Sequence, residues 1–271
     1  MSLSLTLART ASRIPMPRLD ALVPWVLPAA LLILWQIGAD AGWITRRTLP
    51  SPVSVLHAAV ALTRSGELPH DALISCRRAL LGFAIGGSFG LLFGLLNGAS
   101  RIAARLTDTT LQMLRNIPHL AIIPMVILWF GIGEEAKVFL VAVGVFPPIY
   151  LNTYHGVRMV DTGLIEMARS YRLSSVALFW RVVLPGAMPS ILLGVRYGLG
   201  IMWLTLIVAE TISASSGIGY MTMNAREFLQ TDVVLVGILL YALLGKLADL
   251  MAKGLEHLCL AWHPSFAVKE S

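Results

Sequence analysis

Several ionisable side chains stand inside long apolar stretches of this chain, where a charge is costly unless it meets water or a partner. Arg196 and Glu210 lie fourteen residues apart, close to four helical turns, and therefore on nearly the same helix face. Each could pair with a neighbouring helix. Alternatively, Arg196 could attract an anion, and Glu210 could bond nearby backbone or shape a gate. Lys246 and Asp249 stand at i and i+3, a spacing that favours a pair within one helix.

A second group of polar residues surrounds a proline in another apolar stretch. It consists of Arg115, Asn116, Pro118 and His119. Pro118 cannot donate a hydrogen bond to the carbonyl of Leu114, so a backbone acceptor is freed there. Irregular backbone inside a membrane is tolerated only against protein or a water-filled cavity. The segment therefore either lines a pathway or forms a shielded kink with Arg115 at the membrane boundary.

These residues do not form a catalytic pattern. No Ser–His pair, paired Asp or His-rich metal spacing occurs within the apolar stretches, which argues against an intramembrane enzyme. Gly245 and Lys246 are followed by Leu247, so the chain lacks the Gly-x-x-x-x-Gly-Lys-Ser/Thr loop that binds nucleotide phosphates. If ATP is used, another chain must bind it. Cys76 and Cys259 are predicted near opposite membrane faces, too far apart for a disulfide.

The elements that must position these residues are membrane helices. The 271 residues are 56% hydrophobic and 13% charged, with a mean hydropathy of +0.75, whereas a soluble domain carries about 25% charged residues. A bilayer core of about 30 Å needs about 20 apolar residues per helix. We therefore predict an all-α membrane protein surrounded by lipid. Its six predicted spans are 22–40, 76–98, 107–131, 136–156, 188–211 and 233–257.

The distribution of basic residues predicts the topology. The net charge is +6, but Lys and Arg are scattered singly and form no patch, which excludes a nucleic-acid surface. More of them fall on the side of the N-terminus than on the other side, and basic residues favour the cytoplasmic side. Both termini are thus predicted to be cytoplasmic. We expect an interfacial lead-in at 1–20, a membrane domain at 21–258 and a cytoplasmic tail at 259–271.

The second predicted span carries a glycine at every fourth position. These residues are Gly82, Gly86, Gly90, Gly94 and Gly98. A stripe of small residues allows another membrane helix to approach closely. The stripe therefore favours a packing surface over its alternative, a flexible gating helix.

The segment 161–185 is too polar to span the membrane and too apolar to be a solvated linker. It predicts two short helices, the first capped by Asp161 or Thr162 and the second by Ser174 or Ser175. The apolar side of the first consists of Leu164, Ile165, Ala168 and Tyr171. An apolar face in the cytoplasm needs a protein partner, so this segment predicts a docking loop.

The same segment resembles a loop shared by the permease subunits of bacterial ABC importers, which reads Glu-Ala-Ala, then Gly, then Ile-x-Leu-Pro. Glu166-Met167-Ala168 and Val182-Val183-Leu184-Pro185 match its ends. The resemblance implies that the loop docks in a cleft of a separate nucleotide-binding subunit. The coupling residues would be Glu166, Met167, Ala168, Tyr171, Arg172, Val182, Leu184 and Pro185.

Arg172 departs from that pattern, because it stands where the family usually has Gly. Glycine adopts a positive φ at little cost. Either Arg172 accepts strain of about 1 kcal/mol or more, or the turn has another shape. The strength of the mechanical coupling between the loop and the nucleotide-binding subunit depends on which of these two shapes the turn adopts.

The resemblance to one family of these permeases, the nitrate, taurine and aliphatic sulfonate permeases, extends over residues 22–266. The segments that carry it are 49–52, 113–120, 127–132, 204–211 and 216–220. The residues 115–119 and 224–232 are most similar to the aliphatic sulfonate permeases. The resemblance implies the type I permease fold of ABC importers, in the bacterial inner membrane.

The resemblance also implies the partners. Two copies of the chain would form one pathway, and two further subunits would bind ATP and Mg, so the chain would be a pore subunit without enzyme activity or cofactor of its own. An external sulfonate-binding protein would deliver the substrate, serving sulfur metabolism. Release requires weak binding in the pathway, which argues against Arg115 or Arg196 as a tight ligand.

Two alternatives remain from the sequence. The same importer class could carry taurine, nitrate or another small anion. A secondary transporter that works without ATP is a more distant alternative, because it is expected to show repeated halves with paired broken helices. We find no convincing internal repeat in this sequence.

Overall fold

The computed structural model describes residues 23–45 and 47–262, and within them the chain is helical with no strand. This confirms the all-α prediction. A 3-10 turn occupies His119–Ile122 and a π turn Phe179–Val183. The helices are α1 (Val23–Asp40), α2 (Pro52–Ser65), α3 (Glu67–Ala99), α4 (Arg101–Asn116), α5 (Ile123–Phe130), α6 (Glu134–Arg158), α7 (Thr162–Ser170), α8 (Ser175–Leu178), α9 (Leu184–Ser213), α10 (Ile218–Glu227) and α11 (Thr231–Cys259).

The chain divides into two compact units, Met1–Ser54 and Val55–Ser271. In the first unit, α1 ends in a turn whose Gly42 has a φ of 74°, and the amide of Val53 donates to Gln36 Oε1 at 3.3 Å. The predicted lead-in at 1–20 lies outside the described residues, as does the part of the predicted tail after residue 262. Helix α2 begins at the end of the first unit, and the helices from α3 onward belong to the second.

Among the described residues, four helical segments are long and apolar enough to cross a membrane: α3, α6, the continuous stretch Ser175–Ile212, and α11. They correspond to four of the six predicted spans. The predicted third span is a pair of helices, α4 and the 3-10 turn with α5, bent by 80°. The predicted first span corresponds to the shorter apolar helix Val26–Asp40. The described part of the chain thus has four spans, or five if the bent pair is one.

The glycine stripe of α3 packs directly against α6. A Cβ atom built at Gly82, Gly94 or Gly98 would lie only 2.6 Å from a side-chain carbon of α6. At Gly86 it would overlap the backbone of Ala142. Since real Cβ atoms do not approach so closely, only glycine permits this helix contact. In the structure, the stripe is the face of α3 that packs against α6.

The core of the second unit has three parts. The largest lies where α3, α6, α9, α10 and α11 meet and includes the fully buried Val141 and Leu206. A second joins α5 to α6 through Val126 and Leu140. The third contains Val157 and joins the ends of α6 and α9 beneath α7. The spans therefore bury apolar side chains in three clusters, and the segment 161–185 packs on the third of them through Ile165.

Candidate functional site

The segment 161–185 begins with two capped helices, as predicted. The amide of Gly163 donates to Asp161 Oδ1 at 2.7 Å, and the amide of Ala177 donates to Ser174 Oγ at 3.3 Å. The prediction that the second helix is separate is wrong, because α8 runs through the π turn into α9. Pro185, which cannot donate a helical hydrogen bond, follows this π turn, in which the amide of Leu184 donates to the carbonyl of Phe179.

The apolar side of α7 is divided between two surroundings. Ala168 is buried and Ile165 packs into the core cluster of Val157, so these two residues anchor the helix. Leu164 and Tyr171 point away from the core and are 47% and 76% exposed. The predicted apolar face is therefore partly an anchor and partly a free surface.

The other predicted coupling residues are distributed in the same way. Met167 is exposed, and so are Glu166 and Arg172, whereas Val182, Leu184 and Pro185 are half-buried. Sequence reasoning missed two residues that enlarge the free surface.

These two residues are Val176 and Trp180, which are 68% and 62% exposed. They lie four residues apart in the helical stretch that begins at Ser175. This spacing places both side chains on one helix face, and it could have identified them from the sequence. They border a groove of about 580 Å³ that also includes Arg169 of α7 and Gly98 of α3. The loop thus presents a continuous apolar surface built on two helices.

Arg172 adopts the left-handed conformation itself, with a φ of 57°. Its amide donates to the carbonyl of Arg169 at 2.8 Å, and the amide of Leu173 donates to that of Ala168 at 3.2 Å. This pair of bonds is the Schellman motif, in which the left-handed position usually holds glycine. Of the two alternatives, Arg172 therefore accepts the strain, and the turn keeps the shape that glycine favours.

The strain at Arg172 predicts how substitutions will behave. Arg172→Gly is expected to preserve the turn and change local stability by no more than about 1 kcal/mol, since relief of strain is offset by the greater freedom of glycine in the unfolded chain. Arg172→Val is expected to destabilise the turn by about 1–2 kcal/mol, because a β-branched residue resists a positive φ. Hydrogen exchange of the Leu173 amide measures both. Equal exchange in both variants would contradict the strained turn.

The break around Pro118 lies where it was predicted. Helix α4 ends at Asn116, and the chain bends before the 3-10 turn that begins at His119. The carbonyl of Leu114 is not left free, however, because the amide of Ile117 donates to it at 3.1 Å. The break is therefore a well-bonded turn of the backbone.

The side chains at the break differ in their surroundings. Arg115, Asn116 and Pro118 are exposed, whereas His119 is half-buried. His119 Nε2 lies 3.0 Å from Thr205 Oγ1 of α9. This contact ties the bent segment to the helix that follows the loop.

Glu210 forms a buried ion pair with Arg78 of α3, whose Nη1 donates to Glu210 Oε1 at 2.7 Å. The two side chains are 0% and 2% exposed. The other edge of the Arg78 guanidinium donates two hydrogen bonds to Glu134 of α6, from Nε at 2.6 Å and from Nη2 at 2.5 Å. One arginine thus joins three spans. Of the roles considered for Glu210, the structure displays two: pairing with another helix and a hydrogen bond from nearby backbone, the amide of Gly219.

Glu210 also accepts hydrogen bonds from three further groups. Ser75 Oγ lies 2.8 Å from both carboxylate oxygens, and the amide of Gly219 and the hydroxyl of Tyr241 donate to Oε2 at 2.9 and 3.0 Å. A buried charge is tolerated when it is paired and its oxygens are hydrogen-bonded. Both oxygens of Glu210 meet that condition.

The segment 216–219 wraps around this network. Ser216 accepts from Arg78 through both its carbonyl and its hydroxyl oxygen, and the amide of Gly217 donates to Asp71 Oδ1 at 2.8 Å. Gly217 has a φ of 105°, and a Cβ there would lie 2.5 Å from Glu210 Oε1. Only glycine fits this position, so the glycine-rich segment is built to enclose the ion pair.

Arg196 is paired as well. Its Nη2 lies 2.7 Å from Asp249 Oδ1 of α11, and its Nη1 lies 3.8 Å from Glu256. The predicted pair of Lys246 and Asp249 is present at 3.7 Å, but Arg196 is the nearer partner of the carboxylate. Pairing with another helix, one of the two alternatives for Arg196, is therefore what the structure displays.

Sequence reasoning missed Arg78, which lies at the start of the predicted span 76–98. The available signal was Glu210, because a carboxylate deep in an apolar stretch requires a cation. It also missed a smaller network in which Tyr150 donates to Asp108 at 2.9 Å and accepts from Asn97 at 3.1 Å. Within residues 23–45 and 47–262, no cluster of His, Cys, Asp or Glu could hold a metal ion.

Comparison with known proteins identifies a family that this chain matches. Residues 86–258 match the family described as the inner membrane component of binding-protein-dependent transport systems. The aliphatic sulfonates transport permease protein SsuC of Escherichia coli (strain K12) is 61% identical over 92% of this chain and 94% of its own length. The protein of the same name from Bacillus subtilis (strain 168) is 44% identical over 89% of this chain and 87% of its own length.

The fold is shared with a solved structure, that of an amino acid ABC transporter with histidines. It covers 72% of this chain and 97% of the other, with a TM-score of 0.57 and 16% identity. The four to five apolar spans, the family match and the extent of the identity agree with one another. The chain belongs to the family of inner membrane components of binding-protein-dependent transport systems.

Proposed function

We propose that this chain forms the translocation pathway of an ATP-driven importer of aliphatic sulfonates. The observation that carries the proposal is the 61% identity, over 92% of the chain, to a protein named as an aliphatic sulfonates transport permease. Taurine, nitrate and other small anions are the alternative cargoes within the same class of importer.

The exposed apolar surface of the segment 161–185 supports a separate ATPase as partner. A nucleotide-binding loop is absent from the sequence, so ATP and Mg would be held by that partner. Tyr171, Val176 and Trp180 offer an apolar surface, while Ile165 and Ala168 fix the loop to the core. A rigid projection held in a cleft that closes on ATP has to move with the cleft.

Helix α9 would transmit this movement across the membrane. It is continuous with α8 at the loop, contacts His119 through Thr205, and holds Arg78 through Glu210, five residues further along. A displacement of the loop would therefore reach both the break and the buried ion pair. Coupling between distant sites needs such a connected, packed element.

The complex would contain two copies of this chain, two ATP-binding subunits and an external sulfonate-binding protein. The loop would face the cytoplasm together with both termini, in agreement with the excess of basic residues on that side. The chain itself would catalyse no reaction.

Growth of a deletion strain on alkanesulfonates as the only sulfur source tests this proposal. We expect growth to be lost on deletion, restored by the unchanged chain and not restored by Tyr171→Glu, because a carboxylate placed in an apolar interface is costly to bury. The matched control is Phe228→Glu, which changes a residue of similar exposure, 69% against 76%, at the other end of the spans. It is expected to restore growth.

Two results would refute the proposal in different ways. Normal growth of the deletion strain on alkanesulfonates, with use of taurine or nitrate lost instead, would refute the substrate. Restoration of growth by Tyr171→Glu, at the same membrane level of protein, would refute the docking role of the loop.

A further inference from the structure

A cavity of about 490 Å³ lies between α3, α6 and the bent segment. Residues on both sides of the break line it, including Leu114 and Arg115 before the break and Trp129 after it. The bend of 80° between these two parts separates their walls. Ligand cavities in proteins are commonly about 300–1,000 Å³, so the space is large enough for a small organic molecule.

The walls of this cavity are aromatic and aliphatic. Phe89 and Phe93 contribute from α3, and Phe139 and Phe146 from α6. Such side chains favour an apolar ligand, since each buried methylene group contributes about 0.8 kcal/mol. A small inorganic anion would gain nothing from these walls.

One arginine, Arg115, lies at the edge of this apolar cavity. The Arg115 side chain is exposed and lines the cavity, none of whose lining residues is Asp or Glu. In the part of the chain that the structure describes, the Arg115 guanidinium has no hydrogen bond or ion pair, unlike Arg78 and Arg196. A free guanidinium beside an apolar cavity matches a ligand with an anionic head and an apolar tail.

We infer that this cavity is a transit site for the alkanesulfonate, an inference that rests on the proposed function. The alkyl chain would lie against Phe89, Phe93 and Trp129, and the sulfonate oxygens would accept hydrogen bonds from Arg115. Because Arg115 is exposed and is the one Lys or Arg among the residues that line the cavity, a single contact holds the sulfonate and is weak enough for release. The charge favours this ligand over a second copy of the chain, whose apolar face would leave the guanidinium without a partner.

The cavity is also connected to the driving element. Its wall includes His119, which contacts Thr205 of α9 at 3.0 Å. A movement of α9 would therefore change the shape of the cavity. This connection gives the site a physical route for release during the transport cycle.

Uptake of alkanesulfonates of different chain length by the complete reconstituted complex tests the apolar walls. Phe89→Ala is expected to lower the uptake of octanesulfonate at least fivefold relative to that of ethanesulfonate. The matched control is Leu92→Ala, since Leu92 also lies on α3 with nearly the same exposure, 51% against 53%, but does not line the cavity. It should leave the ratio unchanged.

Charge variants test the head-group contact in the same assay. Arg115→Gln is expected to lower uptake at least fivefold at subsaturating concentrations for every chain length. Arg115→Lys is expected to retain at least half of the uptake of the unmodified complex. Arg105→Gln, on the same helix but outside the cavity, serves as the control and should have no effect.

The outcomes separate the two proposals. Uptake by the unmodified complex with an unaltered chain-length ratio in Phe89→Ala would overturn the transit site and leave the importer intact. An equal loss at all chain lengths, accompanied by loss of cross-linked pairs of the chain, would overturn it in favour of an interface between copies. No sulfonate uptake by the unmodified complex would refute the proposed function itself.

Discussion

Replacing Gly86 with alanine is expected to prevent α3 from packing against α6 and to reduce folded protein in the membrane at least tenfold. The added Cβ would overlap the carbonyl oxygen of Ala142 and lie 2.8 Å from its carbonyl carbon and Cα. Backbone atoms cannot turn aside as a side chain can, so the helices would have to separate. Inserting an extra carbon into a well-packed core lowers stability by about 1–3 kcal/mol. A clash with backbone atoms is expected to cost an amount at the upper end of this range.

Gly200→Ala is the matched control for this prediction. Gly200 also lies within a span, but a Cβ there would meet no heavy atom within 4 Å. Because alanine is the better helix former by about 0.8–1.0 kcal/mol, this variant should be as stable as the original or slightly more so. Fluorescence-detected size-exclusion and thermal aggregation of the detergent-extracted protein measure both. Equal behaviour of the two variants would contradict the close contact of α3 with α6.

The features predictable from sequence are those that depend on short-range spacing. The glycine stripe from Gly82 to Gly98 is visible because four residues make slightly more than one helical turn. The caps Asp161 and Ser174 are visible because capping depends on residues two or three positions apart. The break at Pro118 follows from a single missing donor.

The boundary at Pro185 shows why other local signals mislead. A proline can follow the end of one helix or stand in the first turn of the next. The residues around the proline can be the same in both cases. The sequence predicts a short second helix in the segment 161–185 and a span that begins at 188, whereas the chain continues through the π turn at Phe179–Val183 into α9. The choice depends on how the surrounding residues pack, which the local pattern does not contain.

The buried ion pair could not be predicted from spacing at all. Arg78 meets partners 56 and 132 residues further along the chain, and the local sequence around it suggests only a membrane boundary. The division of the α7 apolar face has the same origin, because Ile165 is partly buried against residues of α6 and α9 that are distant in sequence. Both features arise from tertiary contacts between spans.

Arg78→Met is expected to lower the stability of the helical bundle by about 3–5 kcal/mol, the cost of leaving a buried charge without its partner. Glu210 would keep the hydrogen bonds from Ser75, Gly219 and Tyr241 but lose its cation. The segment that begins at Ser216 would lose two donors as well. Thermal unfolding of the purified protein, with proteolysis of that segment as a local probe, measures the loss.

The double variant Arg78→Met/Glu210→Gln distinguishes an unpaired charge from a mere loss of contacts. The amide oxygen of glutamine can still accept hydrogen bonds, but the buried charge is gone, so at least half of the lost stability should return. Arg196→Met provides the exposed comparison, since its pair with Asp249 is 36% and 29% exposed and such pairs contribute about 0–1 kcal/mol. If the double variant were as unstable as Arg78→Met alone, the arginine would act through packing, and the charge of Glu210 would not be what it balances.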